Sequence, residues 1–303
     1  MGTPAEVELV AIGDNVVDCY LDLDTMFPGG NAVNVAVHAV RCGARAAYIG
    51  AVGTDTAGQL VLGSLRAESV DTTDTRVLAG PNAYATVRLV DGNRVFGGGS
   101  VGVSRFVPTA RDLDRLDQAD VVHTGDCSML EEHLATIRRH ARVLSYDFSV
   151  RPESYVAPLA PLVDIAVLST DADGLDAWRE QAGAVRRLGA RTVVLTLGAK
   201  GAYVLTDLAE TWAPAPAASI VDTLGAGDSF AARLLVGLTG GESLDEAAAA
   251  ATAYATTTCA ELGAFGHGAP IVLDDRAPDT TGKKHDPSTA EHPASVDAPK
   301  ELH

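Results

Sequence analysis

The sequence predicts an α/β fold: a mostly parallel central sheet with helices on both faces and a small β-sheet lid. Two observations predict it. Short β-branched runs alternate with Ala-, Leu- and Arg-rich segments of helical length, the rhythm of strand–helix units that build a buried parallel sheet. Late in the chain, Gly225-Ala226-Gly227 leads straight into an apolar run over 229–238, a small-residue entry into a helix that such folds use where a strand hands over to a helix.

In chain order, residues 7–12, 46–52, 121–124, 143–148, 165–168 and 193–197 read as buried strands, because short apolar runs rich in Val and Ile are too brief for core helices. Residues 32–41, 56–68, 130–140, 175–188, 226–238 and 244–259 read as the helices between and after them. Two regions break the alternation. Residues 18–28, and 83–96 through the turn Asp91-Gly92-Asn93, read as extended pairs set off from the main sheet. They predict a lid drawn from about 14–30 and 80–104, within one domain over 1–275. Residues 276–303 are rich in Pro, Thr, Asp, Lys and His, a composition that predicts a disordered tail.

Composition narrows the function classes. Apolar residues make up 47% of 303, enough for a sizeable core, yet no run approaches the roughly 18 uninterrupted apolar residues of a membrane span. No basic segment leads into an apolar one at the start, so no secretory signal is expected. Cys19, Cys42, Cys127 and Cys259 lie far apart, the pattern of unpaired thiols in a reducing cytoplasm. A formal net charge of −17 opposes nucleic acid or an anionic membrane as partner, though a nucleotide needs only local donors and a metal ion. The eight His show no metal-ligand spacing.

The chemistry concentrates in Asp222-Thr223-Leu224-Gly225-Ala226-Gly227-Asp228. The bare N–H groups at the start of the following helix form a ready anion site. Asp228 adds a carboxylate beside it, which would repel a phosphate unless it accepts the proton of an attacking hydroxyl. The implied chemistry is phosphoryl transfer to an alcohol. Gly29-Gly30-Asn31-Ala32-Val33-Asn34 opens the first predicted helix. Its glycines admit a ligand to the backbone, Asn34 offers a donor and an acceptor, and Asn31 is either a ligand or an N-cap. Asp14 and Asp18, just past the first strand, are either sugar ligands or solvated loop carboxylates. The turn from Thr196 through Gly198 to Gly201 could pack a nucleotide on its backbone; Lys200 within it reads as a solvated turn residue. Arg151, after the strand ending near Asp147, reads as a ligand of hydroxyl or phosphate or as an exposed loop residue. His267, in the glycine-rich tract 263–268, has no evident Ser or Asp partner.

These motifs, in this order, resemble the PfkB or ribokinase-like family of carbohydrate kinases over roughly residues 7–271. The resemblance implies a ribokinase-like fold with ATP and Mg2+, and by analogy a monovalent cation such as K+ near the 222–224 turn. It implies Asp228 as general base, and the amides of Gly225, Ala226 and Gly227 as an anion hole. Sugar contacts are implied for Asp18, Gly29, Gly30 and Asn34, with Asp14 as a neighbour, and nucleotide contacts for Thr196, Gly198, Gly201 and Thr223. It further implies a lid that closes over the sugar and often mediates homodimers. Within the family, the opening motifs, Asn93-Arg94-Val95-Phe96-Gly97 and Gly266-His267-Gly268 resemble the kinases of fructosamines. The implied reaction is ATP-dependent phosphorylation of the 6-hydroxyl of a fructosamine such as fructoselysine, with Arg94 as a substrate contact. A kinase for fructose, ribose or 2-keto-3-deoxygluconate, and a non-catalytic sugar-binding regulator, are the alternatives. Two departures stand out. Where most of the family carries Asn-x-x-Glu, this chain reads Ser169-Thr170-Asp171-Ala172-Asp173, leaving Asp171 or Asp173 to substitute through water. The stretch 97–102 lacks any charge to grip an amino acid.

Overall fold

The computed structural model describes residues 7–90 and 93–272, with backbone alone for 89, 90 and 93–95. The expected tail, 276–303, lies outside the described residues. The chain opens with β1 (Glu8–Ile12), β2 (Val16–Tyr20), β3 (Thr25–Gly29), helix α1 (Asn31–Arg41), β4 (Arg45–Ile49), β5 (Ala51–Gly53) and α2 (Thr56–Ala67). Next come β6 (Arg76–Leu78), β7 (Tyr84–Val90), β8 (Asn93–Ser100), α3 (Ala110–Leu116), β9 (Val121–Gly125), α4 (Glu131–His140), β10 (Leu144–Asp147) and α5 (Glu153–Leu159). The remainder is β11 (Ile165–Ser169), α6 (Leu175–Leu188), β12 (Thr192–Thr196), β13 (Ala202–Leu205), β14 (Glu210–Ala213), α7 (Ala226–Thr239), α8 (Leu244–Thr258) and β15 (Ala269–Pro270).

Eight strands form the main sheet in the order β14-β13-β12-β11-β10-β9-β1-β4. Every pair from β12 to β4 is parallel, and β13 and β14 close the far edge as antiparallel neighbours. Because side chains alternate along a strand, each inner strand feeds two cores. Leu9 and Ala11 join one, beneath α1, α2, α7 and α8; Val10 and Ile12 join the other, beneath α3, α4, α5 and α6. Val194 and Val193 divide in the same way on β12. Continuous apolar strands are therefore what this two-faced sheet requires. The six strands and six helices read from the sequence are present. The strand expected over 46–52 divides at Gly50, because Ala51–Gly53 leaves the main sheet to pair with β6.

A second sheet of five strands, β15-β3-β2-β7-β8, holds both extended pairs set off from the main sheet. Its β2 and β7 are parallel, and the other neighbours are antiparallel. Tyr20, Phe27 and Val87 form its own small apolar cluster, with the two rings edge to face at 5.3 Å. Tyr20 also reaches out of the sheet, its hydroxyl donating to Asp222 Oδ2 at 2.6 Å. Asp222 Oδ2 accepts from the Gly263 amide at 3.0 Å as well, and Oδ1 from the Leu224 amide at 3.0 Å. One buried carboxylate thus ties the small sheet to the turn before α7. Among the described residues no helix is long and apolar enough to cross a membrane.

A hydrogen bond to a buried charged acceptor is worth about 1.5–3 kcal/mol. Tyr20→Phe, which deletes one and leaves the ring packing, should lower the urea unfolding free energy by about that amount with an unchanged m-value.

Candidate active site

The site begins where β3 turns into α1. Gly30 holds φ at 109°, and a Cβ there would lie 2.7 Å from the Asn15 Cα and 2.9 Å from Asp14 Oδ2, so only glycine fits. Asp14 uses the room. Its Oδ2 accepts from the Asn31 amide at 2.9 Å, and its Oδ1 from the Ala32 amide at 3.3 Å and the Ser128 hydroxyl at 2.9 Å. Asp14 therefore caps α1 from outside the helix, and Asn31 is the first helical residue rather than the cap. Burial raises the Asp14 carboxyl above its ordinary value against these donors.

With the cap supplied elsewhere, the side chains of Asn31 and Asn34 are free to project from one face of α1, three residues apart. Both meet Asp228. Asn31 Nδ2 donates to Asp228 Oδ1 at 2.7 Å, and Asn34 Nδ2 to Oδ2 at 2.6 Å. Asp228 is in the first turn of α7, whose cap Gly225 has φ 72° and presses against Ala264; an added Cβ would stand 2.6 Å from the Ala264 Cβ. Desolvation pushes the Asp228 carboxyl up to about 6 in spite of its two amide donors, and the charges of Asp14 and Asp126 add to the rise. Asp147, at the end of β10, accepts from the same Asn31 amide at 3.0 Å and from the Ser149 backbone at 2.7 Å. Burial, then the Asp228 charge, pushes it up to about 7. Asp147 and the buried His123 join Asn31 here; the sequence had left Asn31 as either a ligand or an N-cap and did not single out the other two.

On the side toward the small sheet, Asp18 and Asn34 converge over Gly29. A Cβ there would lie 2.6 Å from Asp18 Oδ2 and 3.8 Å from Asn34 Oδ1, so the glycine keeps a notch open between two polar groups. Asn34 Oδ1 is buried without a hydrogen-bond partner, and an unpaired buried acceptor is costly unless a ligand supplies the donor. The side chain of Arg94 lies outside the described residues.

On the other side opens a cavity of about 1040 Å³, lined by Thr196, Gly198, Gly201, Thr223, Ala226 and Gly227 among others. The sequence-predicted nucleotide residues and the start of α7 thus share one wall. Gly227 is exposed there, whereas the Ala226 amide already donates to the Thr223 carbonyl at 3.3 Å. Arg151 lines the cavity, its Nε donating to Asp126 Oδ2 at 2.7 Å and its guanidinium 5.2 Å from the Tyr155 ring centre. Asp171 also lines it. Asp173 does not; it pairs at 2.8 Å with Lys200, an exposed residue of the turn, as read from the sequence. The Lys200 carbonyl accepts from Trp212 Nε1 at 3.0 Å, and Trp212 stacks 5.8 Å from Trp178. His267 pairs with Glu68 at 2.7 Å, far from this chemistry in role. Among the described residues no group of three or more His, Cys, Asp or Glu could hold a metal ion by itself.

The arrangement sets a carboxylate titrating near neutrality between a polar notch and a large cavity, beside the amides of a helix start. That is the equipment for taking a proton from a hydroxyl while charge develops on the cavity side.

A model of pfkB family carbohydrate kinases matches residues 9–269. The chain is 37% identical to the fructosamine kinase FrlD of Bacillus subtilis over 275 residues, covering 89% of this chain and 96% of that one. It is 36% identical to the fructoselysine 6-kinase of Escherichia coli, covering 85% and 99%. The crystal structure of aminoimidazole riboside kinase from Salmonella enterica, complexed with aminoimidazole riboside and an ATP analogue, superposes with a TM-score of 0.71 at 26% identity over 85% of this chain and 95% of that one.

Carbon-13 NMR of labelled aspartate should find two carboxyls titrating near pH 6 and 7, those of Asp228 and Asp147. Because the Asp228 charge helps raise Asp147, Asp228→Asn should move the Asp147 midpoint down. A midpoint that stays put or rises would show that the two carboxyls do not interact.

Proposed function

From the premise that the chain belongs to the pfkB family of carbohydrate kinases and phosphorylates a sugar hydroxyl, we propose that its acceptor is the 6-hydroxyl of a fructosamine, with ATP as donor. The relatives that act on fructosamine and fructoselysine, matched over nearly their whole lengths, support the substrate class. One observation carries the catalytic assignment: the Asp228 carboxylate is held by two amides between the Gly29 notch and the cavity, with a pKa of about 6.

In this reading the sugar lies against Asp18, Gly29, Gly30 and Asn34, and one of its hydroxyls donates to the unpaired Asn34 Oδ1. Asp14 acts at one remove, holding the start of α1 in place. The triphosphate runs along the cavity past Thr196, Gly198, Gly201 and Thr223, and Arg151 reaches its phosphates. Asp228 takes the 6-hydroxyl proton as that oxygen attacks the γ-phosphorus in line. The amides of Gly225, Ala226 and Gly227 meet the charge that develops, with Ala226 exchanging its long bond to Thr223 for the phosphoryl oxygen. The small sheet closes over the sugar and excludes water that would otherwise take the phosphoryl group.

Asp171, a carboxylate on the cavity wall, fits a role in holding magnesium through water, whereas Asp173 is committed to Lys200. Bound with the triphosphate, magnesium supplies charge neutralisation on the phosphate oxygens. Asp222 is engaged by Tyr20, Gly263 and Leu224, and no step is assigned to a potassium ion near the 222–224 turn. We place the enzyme in the cytoplasm, where ATP is at hand and its four free cysteines stay reduced. Pairing of two copies through the small sheet would cover Phe96 on its edge strand β8, which is 58% exposed.

The test is ADP release by the purified chain with ATP and magnesium, offered fructosamines beside fructose, ribose and 2-keto-3-deoxygluconate. Selective turnover of a fructosamine is expected, and turnover of a plain sugar alone would discard that acceptor. Asp228→Asn should lower kcat by about two to four powers of ten with the sugar Kd nearly unchanged; loss of sugar binding to the same degree would overturn its role as base. The base must be ionised, so kcat/KM should be flat above pH 7 and fall about tenfold per pH unit below the Asp228 value of about 6.

A further inference from the structure

Among the described residues, Asn31 is the only side chain that hydrogen-bonds both Asp228 and Asp147, and its orientation is dictated from behind. The two hydrogens of its amide nitrogen go to Asp228 Oδ1 and Asp147 Oδ2. Its oxygen lies 3.0 Å from His123 Nε2. An amide oxygen only accepts, so Nε2 carries the hydrogen. Burial pushes the His123 ring down to about 3, which keeps it neutral and leaves Nδ1 bare. The hydroxyl of Ser145, 3.1 Å from Nδ1, supplies the donor. Every bond in the row therefore runs one way, from Ser145 to His123 to Asn31 to the carboxylates. Turning the Asn31 amide over would set its NH2 against the His123 N–H and its oxygen against two acids. Gly125, at the end of β9, makes room for the row; a Cβ there would lie 2.7 Å from Asn31 Oδ1.

The need for such a row is electrostatic. Two carboxylates in one desolvated site repel, and unless a donor stands between them one protonates or turns away. Arg151 offers no relief, being engaged with Asp126. The other titratable groups bearing on Asp228 are Asp14 and Asp126, both acidic; His123 behind Asn31 is neutral. Among the described residues, the Asn31 amide alone spans the gap between Asp228 and Asp147.

We propose that Asn31, backed by His123 and Ser145, is a positioning residue that fixes the roll of the Asp228 carboxylate and holds Asp147 away from the attacking hydroxyl. None of the three touches the substrate. The inference rests on Asp228 being the base of the kinase reaction and goes beyond it in naming what aims that base. Asn34 grips the other oxygen but also faces the sugar notch, so its loss would change binding as well as aim. Loss of Asn31 should change aim alone.

The experiment measures kcat, KM and the acid limb of the kcat–pH profile for Asn31→Ala, His123→Leu and His123→Gln beside wild type and Asp228→Asn. Misaiming a reacting group costs up to about 100-fold, so Asn31→Ala should lower kcat about 10- to 100-fold while KM for the sugar moves less than about threefold. Its acid limb should shift to higher pH, since the charged form of Asp228 loses a donor. His123→Gln keeps an N–H near the place of Nε2 and should retain most of kcat; His123→Leu should fall with Asn31→Ala. Asn31 is partly exposed in the first turn of α1, so Asn31→Ala decides the matter should the buried His123 variants fail to fold. Wild-type kcat and an unmoved acid limb in Asn31→Ala, with Asp228→Asn still crippled, would overturn this proposal alone. A rise in KM that accounts for the whole loss would overturn it too. No turnover by the wild type would overturn it together with the kinase reading.

Discussion

The site depends on keeping an ionisable carboxylate out of water without letting it become an ordinary buried acid. Taking a carboxylate into a protein interior costs several kcal/mol, and each charge-assisted hydrogen bond returns about 1.5–3. Asp228 receives two, from amides on one face of α1. The balance leaves its pKa raised to about 6, and donors and burial pull that value in opposite directions. Much of the local architecture follows from that balance. Asn31 and Asn34 are available only because Asp14 caps α1 from the preceding loop, and Asp14 reaches the helix only because Gly30 leaves it space. The first turns of α1 and α7 must meet, which Gly225 permits by packing bare against Ala264.

A second carboxylate links this centre to the rest of the chain. Asp222 opens the turn into α7, and its oxygens gather donors from β2, from the turn itself and from the segment that leads to β15. The small sheet contains both β2 and β15. The small sheet and the turn before α7 are therefore tied directly, through one bond of 2.6 Å from Tyr20.

Much of this was legible in the sequence, for physical reasons that differ from element to element. The inner strands were legible because a parallel sheet covered on both faces demands unbroken apolar runs, as in Leu9-Val10-Ala11-Ile12. The edge hairpin of β13 and β14 was not, since half of β14 faces solvent and its pattern is mixed. Glycines that mark helix starts were legible at Gly30 and Gly225. Asp14 was read as a neighbour of the sugar; that it also caps α1 was not legible, because sequence cannot say which helix a loop carboxylate will meet. His123 and Asp147 were invisible in role: one lies in the middle of β9 and the other ends β10, and only the juxtaposition of β9, β10 and α1 brings them to Asp228. Asp173 illustrates the opposite error, a carboxylate expected near phosphate that a neighbouring lysine had already claimed.

The chain holds two tryptophans, and both stand beside the 196–201 turn, which lines the cavity. Trp212 donates its indole hydrogen to the Lys200 carbonyl, inside the turn that carries Gly198 and Gly201, and Trp178 stacks against it. None lies on the small sheet or near the Gly29 notch. The indoles thus gather at one side of the cavity, leaving the small sheet without an optical reporter. Their emission reports on the 196–201 turn, and on the small sheet only through contacts that tie the two together.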